Sequence, residues 1–357
     1  MFRGDAPSPL RGGAAPATSP LPPPTFRVMR AAVITAPGGP EVLEVRDAPT
    51  PVPGEHEVLV RVRASALNRA DVLQRMGRYP APPGAPADIA GIEFAGEVAA
   101  TGPRATRWRE GDRVYGITGG GAHAEYLVVH ERAIAEIPAA LDWHAAGAIP
   151  EAFITAHDAM IVQAGLVAGE TVLVHAVGSG VGLAAVQLAH AIGARVAGTS
   201  RTADKLVRAR EYGLELGLLA GADLASFAES LRTFTNGRGV DVTLDLLGGA
   251  YLAASTQVAA LRGRVMLIGT IAGSQATLDL RALLGKRLTL RGTVLRSRAL
   301  AEKVAATEAF ARDVNPGLAS GALRPVIDTV VPLDAIAEAH RRMESNDSFG
   351  KVVIDCG

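Results

Sequence analysis

Residues 171–200 constrain the fold more than any other part of the sequence. They begin with TVLV at 171–174, a short, uncharged and β-branched run that is typical of a buried parallel strand. Apolar residues at helical spacing follow within a segment rich in alanine and leucine. The glycines between the predicted strand and helix are Gly178, Gly180 and Gly182. The pattern therefore predicts a strand, a glycine turn and a helix in direct succession.

Such a turn is suited to binding an anionic pyrophosphate. The helix N-terminus offers unpaired N–H groups and a partial positive charge, and a turn without Cβ atoms allows close approach. We therefore predict a dinucleotide contact at Gly178, Ser179, Gly180, Val181 and Gly182. The last glycine comes one position earlier than in the common G-x-G-x-x-G form, so a tight turn with no ligand remains an alternative.

The end of the next strand indicates which dinucleotide is bound. An acidic residue there would bind the adenosine ribose of NAD, whereas a basic one favours the extra phosphate of NADP. Here the strand ends in GTSR at 198–201, and Lys205 follows one helical turn later. Ser200, Arg201 and Lys205 are predicted to bind the 2′-phosphate, so NADPH is the predicted cofactor. Asp204 is a counter-signal, but it falls in the first helical turn, where a carboxylate commonly serves the helix dipole.

Length and periodicity predict two domains in the 357 residues. Residues 30–150 favour short strands separated by turns, whereas strands and helices alternate from Glu151 onward, which predicts a parallel α/β sheet covered on both faces. The last helix and strands lack a further βαβ partner, so the chain is expected to return to its first domain. The predicted divisions are an extension at 1–28, a first domain at 29–151, a dinucleotide domain at 152–298, and a return segment at 299–357.

One short helix interrupts the strands of the first domain. It is predicted over 69–76, with Asn68 as the N-cap and an ion pair between Asp71 and Arg75 at i,i+4 spacing.

Composition excludes several classes of function. Thirty-six Lys and Arg balance 36 Asp and Glu, so the electrostatic signature of a nucleic-acid binder is absent. The single cysteine, Cys356, excludes an intrachain disulfide framework and a cysteine-built zinc site, and it is consistent with the cytoplasm. The uncharged run at 171–194 contains the glycine turn, which argues against a membrane helix. Residues 1–28, rich in Pro, Ala and Gly, are interpreted as a disordered extension, with a transit peptide as the alternative.

Several longer blocks, together with the glycine turn, resemble one family. The blocks are SALNRADVLQRMGRYPAPPGA (65–85), GGGAHAEY, AAGAIPEAFITA, HAVGSGVG, GTVLRSR (292–298) and GKVVI. The sequence resembles the medium-chain dehydrogenase/reductase superfamily in its zinc-independent quinone oxidoreductase branch, and within it the tumour-suppressor-inducible subgroup. The resemblance extends from Met29 to Cys356. It implies an α/β fold in which a Rossmann doubly wound parallel sheet is inserted into a GroES-like β-rich domain, with NADPH between the two.

The resemblance also implies where the chemistry lies. Zinc members of the superfamily hold their metal with cysteines and a histidine. This chain has Asn68 where a cysteine is expected and Ile92 where the histidine is expected, so no metal is predicted. Asn68 and Tyr79 are placed beside the nicotinamide, the amide to orient and the phenol to hydrogen-bond the developing hydroquinone oxygen. Asn68 could instead only cap the helix, and Tyr79 could be a loop packing residue.

Further cofactor contacts are expected at Thr155, Gly269 and Arg296. Thr155 could equally belong to the core. Arg296 and Arg298 could belong to a solvated helix N-terminus instead of the cleft. Relatives often carry a tyrosine over the 2′-phosphate, whereas residues 217–221 offer only Leu, Ala and Gly.

The predicted function is NADPH-dependent reduction of a small-molecule quinone or enone by direct hydride transfer. The alternatives are a 2-enoyl thioester reductase with Tyr79 as proton donor, and a non-catalytic NADPH-binding protein. No nucleic acid is expected as the main partner, and no membrane. The strand LTLRGTVL at 288–295 is predicted to form a sheet edge that pairs with its twin, so a homodimer is expected.

Overall fold

The structure is a computed structural model that describes residues 28–221 and 224–357. The predicted N-terminal extension therefore lies outside the described residues except for Val28. Two sheets organise the chain. The strands and helices up to the first parallel strand are β1 (Val28–Ile34), β2 (Leu43–Pro49), β3 (Glu57–Ala66), α1 (Arg69–Arg75), β4 (Glu93–Thr101), β5 (Arg113–Ile117), β6 (Tyr126–His130), β7 (Ile134–Glu136), α2 (Trp143–Gly147) and α3 (Pro150–His157), which continues as a π-helix over Asp158–Gln163.

The second half of the chain contains the parallel sheet and the return segment. Its elements are β8 (Thr171–Val174), α4 (Gly180–Ala191), β9 (Arg195–Ser200), α5 (Ala203–Ala209), β10 (Leu216–Leu219), α6 (Leu224–Phe234), β11 (Val240–Asp245), α7 (Ala250–Val258), β12 (Ala259–Leu267), α8 (Leu280–Lys286), β13 (Thr289–Gly292), α9 (Leu300–Asp313), α10 (Asn315–Ala319), β14 (Ile327–Pro332), α11 (Ile336–Ser345) and β15 (Lys351–Asp355).

The parallel sheet has the strand order β10-β9-β8-β11-β12-β13. Strands β9 and β10 are added on one side of β8, and β11, β12 and β13 on the other. In doubly wound sheets a ligand binds at the switch point between the two halves, beyond the carboxyl ends of the strands. Strand β8 coincides with the predicted TVLV run, and all four of its residues are buried. The prediction of a doubly wound parallel sheet is confirmed.

The second sheet has the order β14-β15-β3-β4-β5-β7, with β6 also paired to β3. Strands β14 and β15 come from the end of the chain, yet β15 pairs antiparallel with β3 near its beginning. The last strands of the chain thus belong to the same sheet as β3, and the parallel sheet is an insertion within this β-rich domain. Strands β1 and β2 form a separate antiparallel pair.

One hydrophobic cluster joins the two domains. It includes Tyr115 and Ile149 from the β-rich side, Val174 and Leu183 from the dinucleotide side, and Phe310 on α9. Helix α3 packs directly against α4. The β-rich domain also meets the dinucleotide domain beyond the carboxyl ends of β8 and β9, where the Gly350 N–H donates to the Gly178 carbonyl. This boundary between the two domains is called the cleft below.

The ion pair predicted between Asp71 and Arg75 is not formed. The Arg75 guanidinium is fully buried and binds Glu344 on α11 at 2.7 Å. Asp71 instead accepts hydrogen bonds from the backbone N–H groups of Asn68 and Gly91, at 2.7 and 3.0 Å. Helix spacing predicted a neighbour in sequence, but tertiary packing supplied a closer partner for each charge.

The predicted edge strand is present but shorter than expected. Strand β13 covers Thr289–Gly292, lies at the end of the parallel sheet, and is exposed along its length. Within residues 28–221 and 224–357, no helix combines the length and apolar character that crossing a membrane would require.

Candidate functional site

The glycine turn between β8 and α4 has the geometry of a phosphate cradle. Ser179 is the N-cap of α4, and its hydroxyl oxygen accepts a hydrogen bond from the Gly182 N–H at 3.0 Å. A Cβ on Gly182 would lie 2.4 Å from the Ala176 carbonyl oxygen, so the turn admits only glycine there without a shift of the backbone. The N–H groups of Gly180 and Val181 lie in the first turn of α4, where no intrahelical acceptor exists. The first turn of α4 thus has the geometry of an anion-binding helix N-terminus, and a parallel bridge between Ser179 and Gly350 connects it to the β-rich domain.

The β-rich domain contacts this turn directly. The Gly350 N–H donates to the Gly178 carbonyl at 2.9 Å. A Cβ on Gly180 would lie 2.4 Å from Cδ of Lys351, and one on Gly178 would lie 2.8 Å from Cδ of Lys205. Two lysine stems thus lie against the turn, one from each domain. The missing Cβ atoms make room for these side chains as well as for a ligand.

At the end of β9, Ser200 is buried and the Arg201 side chain is exposed. Arg201 forms no ion pair with any described residue. Its positive charge contributes to lowering the pKa of Arg69 and of Lys205, in both cases after the larger effect of burial. Three cations therefore converge on this end of the cleft, which is the electrostatic condition for binding a phosphate.

Lys205 and Asp204 are engaged differently from each other. The Lys205 ammonium donates to the Asn346 carbonyl of the β-rich domain at 2.6 Å. Asp204 lies in the first turn of α5, and its carboxylate is 3.8 Å from Arg208. The carboxylate thus lies in the first helical turn, as predicted, and is also paired with a cation of its own helix. Lys205 joins the two domains in addition to adding charge beside Arg201.

Asn68 lies in a polar network at the other end of the cleft. Its side-chain N–H groups donate to the Ala66 carbonyl at 3.1 Å and to Glu93 Oε1 at 2.8 Å. Its Oδ1 accepts from the Lys351 ammonium at 2.7 Å. Asn68 is also the N-cap residue of α1, so the cap position does not prevent its side chain from joining this network.

Lys351 is the cation of this network. Its ammonium is 2.6 Å from Glu93 Oε1 and also donates to the Leu67 carbonyl at 3.1 Å. The Lys351 side chain is 6% exposed and that of Glu93 is fully buried, so the pair is held away from water. A buried pair of this kind fixes geometry because neither charge tolerates the loss of its partner.

Arg296 joins the cleft to Tyr79. It is 4% exposed, so its alternative placement at a solvated helix N-terminus is wrong; α9 begins only at Leu300. The guanidinium lies 5.1 Å from the Tyr79 ring centroid and donates to the Tyr79 carbonyl at 3.4 Å and the Gly119 carbonyl at 2.9 Å. It also donates to the side-chain oxygen of Gln74. Arg296 therefore fixes the loop that carries Tyr79.

The other predicted arginine, Arg298, binds Asp158 in the π-helix at 2.7 Å. It secures the segment after β13 against the π-helix that follows α3, and its partners do not include the glycine turn. Gly269 follows β12 at the carboxyl ends of the strands. A Cβ there would lie 2.4 Å from the Leu246 carbonyl, so the position needs glycine for packing.

Thr155 and Glu151 occupy successive turns of α3. The Thr155 hydroxyl donates to Glu151 Oε1 at 3.3 Å. The Glu151 N–H donates to Glu93 Oε2 at 2.9 Å, which connects α3 with the Lys351 network. Glu151 is partly buried, and burial, followed by the negative charge of Glu93, raises its pKa to about 8. Sequence reasoning placed Thr155 in this region but missed the glutamate one turn before it.

Glu93, Glu151 and Lys351 were all missed as site residues. The available signal was a charge within an apolar run: IEFAG, AIPEAFITA and GKVVI. A charged residue in a buried strand or helix is rarely tolerated without a partner. That rule predicts partners for these three residues without saying which ones.

The residues present fit a nicotinamide dinucleotide. The glycine cradle suits a pyrophosphate and the exposed Arg201 suits a phosphate. Asn68 and Thr155 belong to one network through Glu93 and Glu151, and Tyr79 is held separately by Arg296. Among the residues that the structure describes, no group of three or more His, Cys, Asp or Glu side chains is arranged to hold a metal.

Two family models match the chain. The model described as an alcohol dehydrogenase GroES-like domain matches residues 54–139, and the one described as a zinc-binding dehydrogenase matches residues 180–311. A curated quinone oxidoreductase of Lama guanicoe is 33% identical over 337 residues, which cover 92% of this chain and 98% of the relative.

Solved structures resemble the whole molecule. An NAD-dependent alcohol dehydrogenase is 35% identical with a TM-score of 0.81, covering 92% of this chain and 100% of that one. A mycobacterial protein complexed with NADPH is 30% identical with a TM-score of 0.81, covering 91% and 99%. The CurK enoyl reductase is 27% identical with a TM-score of 0.78, covering 92% and 98%. The likeness thus extends over both domains and includes more than one cofactor and reaction.

Proposed function

We propose a reaction for this protein from one premise: the chain belongs to the quinone oxidoreductase family of the medium-chain dehydrogenase/reductase superfamily. The proposed reaction is NADPH-dependent reduction of a small quinone or related conjugated carbonyl, without metal or flavin. The observation that carries it is the pairing of a glycine cradle with an exposed, unpaired Arg201 at the end of β9. That pairing favours a dinucleotide with an additional phosphate over one without.

In this proposal the two ends of the cleft bind opposite ends of NADPH. Arg201 and Ser200 bind the 2′-phosphate, with Lys205 adding positive charge, and the N–H groups of Gly180 and Val181 bind the pyrophosphate. Asn68, Thr155 and Tyr79 face the nicotinamide and the acceptor. When bound, the reduced nicotinamide supplies the hydride.

The protein's own residues then supply position and polarity. Lys351 and Glu93 hold the Asn68 amide in one orientation through hydrogen bonds of 2.7 and 2.8 Å. Arg296 holds the Tyr79 loop, so that the phenol can hydrogen-bond the acceptor oxygen as negative charge develops on it. A quinone is already reactive toward hydride, so orientation and exclusion of water are the main tasks left to the protein.

The test compares two acceptors with the same purified protein. NADPH is mixed with 9,10-phenanthrenequinone and, separately, with crotonyl-CoA, and NADPH absorbance is followed. We expect faster oxidation with the quinone. Faster oxidation with the thioester would assign the protein to the second candidate, a 2-enoyl thioester reductase, which the structural likeness to CurK enoyl reductase favours. Tight NADPH binding without turnover of either acceptor would indicate a non-catalytic NADPH-binding protein.

The proposed assembly is a homodimer formed through the edge of the parallel sheet. Strand β13 is exposed along its length, and apolar side chains beside it are exposed as well: Ile271, Leu284, Leu290 and Val294. An unpaired edge strand with apolar neighbours is prone to pair with a second copy across a two-fold axis. Native mass measurement at micromolar concentration tests this, and a monomeric mass would contradict it. The cytoplasm is the proposed compartment, in keeping with a single, buried Cys356.

A further inference from the structure

Two glutamates lie side by side in the cleft, but they have different partners. Glu93 is fully buried and receives the Lys351 ammonium at 2.6 Å. Glu151, whose backbone N–H touches Glu93 Oε2, is partly exposed. Among the described residues, no lysine or arginine nitrogen lies within the 4.0 Å of an ion pair from the Glu151 carboxylate. Its one side-chain hydrogen bond comes from the neutral hydroxyl of Thr155.

Charged groups face Glu151 from every element around it. The negative groups are Glu93 on β4 and Asp71 on α1; the positive groups are Lys351 on β15, Arg296 after β13, and Lys303 on α9. Lys351 is already bound to Glu93, and Arg296 is committed to carbonyl oxygens and to the Tyr79 ring. Two of these positive charges are therefore directed elsewhere, and Lys303 acts on Glu151 only from beyond ion-pair distance, whereas the negative charge of Glu93 lies next to Glu151.

We propose that Glu151 is the acid that delivers a proton to the reduced substrate. This inference rests on the proposed function and extends it by one catalytic group. Hydride transfer breaks a C–H bond of the reduced nicotinamide and places two electrons and one hydrogen on the acceptor. The acceptor oxygen then carries a negative charge. The Glu151 O–H bond breaks, a new O–H bond forms on that oxygen, and the resulting carboxylate recovers its proton from water.

The position and protonation of Glu151 suit this task. It lies one helical turn before Thr155, the residue expected to contact the nicotinamide. Burial, followed by the charge of Glu93, raises the pKa of Glu151 to about 8, so the group is mostly protonated at neutral pH. Neighbouring carboxyls whose environments separate their pKa values are a recurring arrangement for acid–base catalysis. Tyr79, in contact with Arg296, then serves to hydrogen-bond the oxygen while Glu151 supplies the proton.

The first experiment detects the proton without any substrate or cofactor. Infrared difference spectra between neutral and alkaline pH are recorded for the parent protein, for Glu151→Gln, and for Glu229→Gln, which alters an exposed glutamate on α6. We expect the C=O band of a protonated carboxylic acid to disappear near pH 8 in the parent and in Glu229→Gln. The same change is expected to be absent in Glu151→Gln. An identical loss of the band in all three proteins would overturn the proposal.

The second experiment measures the pH dependence of kcat/KM with NADPH and 9,10-phenanthrenequinone. In the parent, kcat/KM is expected to fall about tenfold per pH unit above about 8, because the acid form is required. Glu151→Gln is expected to be slower by about 100-fold with a flat profile, whereas Glu229→Gln keeps the parent's profile. Retention of the parent's profile in Glu151→Gln, or its loss in Tyr79→Phe alone, would contradict a proton from Glu151.

Failure of the proposed function gives a different result. If the parent oxidises NADPH only with crotonyl-CoA, the quinone assignment falls, and the same three pH profiles are measured with that thioester. A flat profile confined to Glu151→Gln would then support Glu151 as the proton donor to the reduced thioester. Equal profiles in all variants would overturn it there too.

Discussion

At one end of the cofactor cleft, the Lys351 ammonium is enclosed by oxygens of Glu93, Asn68 and Leu67, with its side chain 6% exposed. At the other end, the Arg201 guanidinium is exposed and forms no ion pair with a described residue. Lys351 lies against the glycine turn and Arg201 follows the neighbouring strand β9, but only Lys351 has oxygen partners among the described residues. A cation already bound fixes the geometry of the site, whereas a cation without a partner is available to a ligand.

The largest effect is expected from breaking the enclosed pair. Lys351→Met leaves the fully buried Glu93 carboxylate without its counter-charge, which costs about 3–5 kcal/mol of unfolding free energy. Urea denaturation of parent and variant measures this loss. Lys286→Met, which removes an ammonium bonded to one backbone carbonyl, is the matched control and should cost far less. The double variant Lys351→Met/Glu93→Leu should recover much of the lost stability. If Lys351→Met had the same free energy of unfolding as the parent, the buried ion pair would be contradicted.

Removing the exposed Arg201 side chain should leave the free energy of unfolding unchanged and alter the preference between NADPH and NADH. Arg201→Ala removes charge-assisted hydrogen bonds to the 2′-phosphate, each worth about 1.5–3 kcal/mol, so kcat/KM for NADPH should fall about 10- to 100-fold. The value for NADH should remain unchanged. Steady-state kinetics with both cofactors tests the prediction. Arg210→Ala, at the C-terminal end of α5, is the control. Equal losses for NADPH and NADH would remove support for the phosphate site.

The glycine turn lies between the two ends and should be sensitive to a single methyl group. Gly182→Ala would bring a Cβ within 2.4 Å of the Ala176 carbonyl, and overpacking of this kind typically costs about 1–3 kcal/mol. Gly292→Ala adds a methyl group where nothing lies within 4 Å and should change stability little. Thermal unfolding of both variants, with and without NADPH, distinguishes a packing effect from a binding effect. If Gly182→Ala were as stable as the parent, the close packing of the turn against Ala176 would be contradicted.

The smallest effect expected near neutral pH is on the free energy of unfolding and comes from His175, which is buried just after β8. Its ring nitrogens lie 3.0 Å from the Thr199 hydroxyl and 2.9 Å from that of Ser255, and burial lowers its pKa from 6.5 to about 3. Between these two values the unfolded chain binds the proton and the folded protein does not, so stability is lost as pH falls. The loss is small near neutral pH and is expected to reach about 1.4 kcal/mol per pH unit below about pH 6.

Denaturation of the parent and of His175→Gln at several pH values below neutrality measures that contribution. The variant should show a shallower fall in unfolding free energy with decreasing pH. His130→Gln, at a half-buried position at the end of β6, provides the control for loss of a histidine. Parallel slopes for the parent and His175→Gln would mean that His175 does not resist protonation in the folded protein.

Local sequence predicted the parts of the site that are formed by neighbours in the chain. The strand over 171–174, the glycine turn and helix α4 follow from spacing within some twenty residues. The position of Arg201 at the end of β9 follows from the same unit. The partners of charged side chains did not follow. Arg75 and Glu344 are separated by 269 residues, so helix spacing could only suggest the wrong neighbour.

The sequence by itself determined the fold class, the glycine turn and the position of a cation at the end of β9. Each depends on short-range backbone preferences, on the absence of a Cβ, or on a residue type at the end of a strand. Only the tertiary structure decided which charges are paired and which are free. Glu93 and Glu151 differ because Lys351, brought back by the final strand, pairs with Glu93, whereas Glu151 has no cation within ion-pair distance among the described residues. Burial and pairing depend on contacts between distant segments, and those contacts set the protonation of the groups in the cleft.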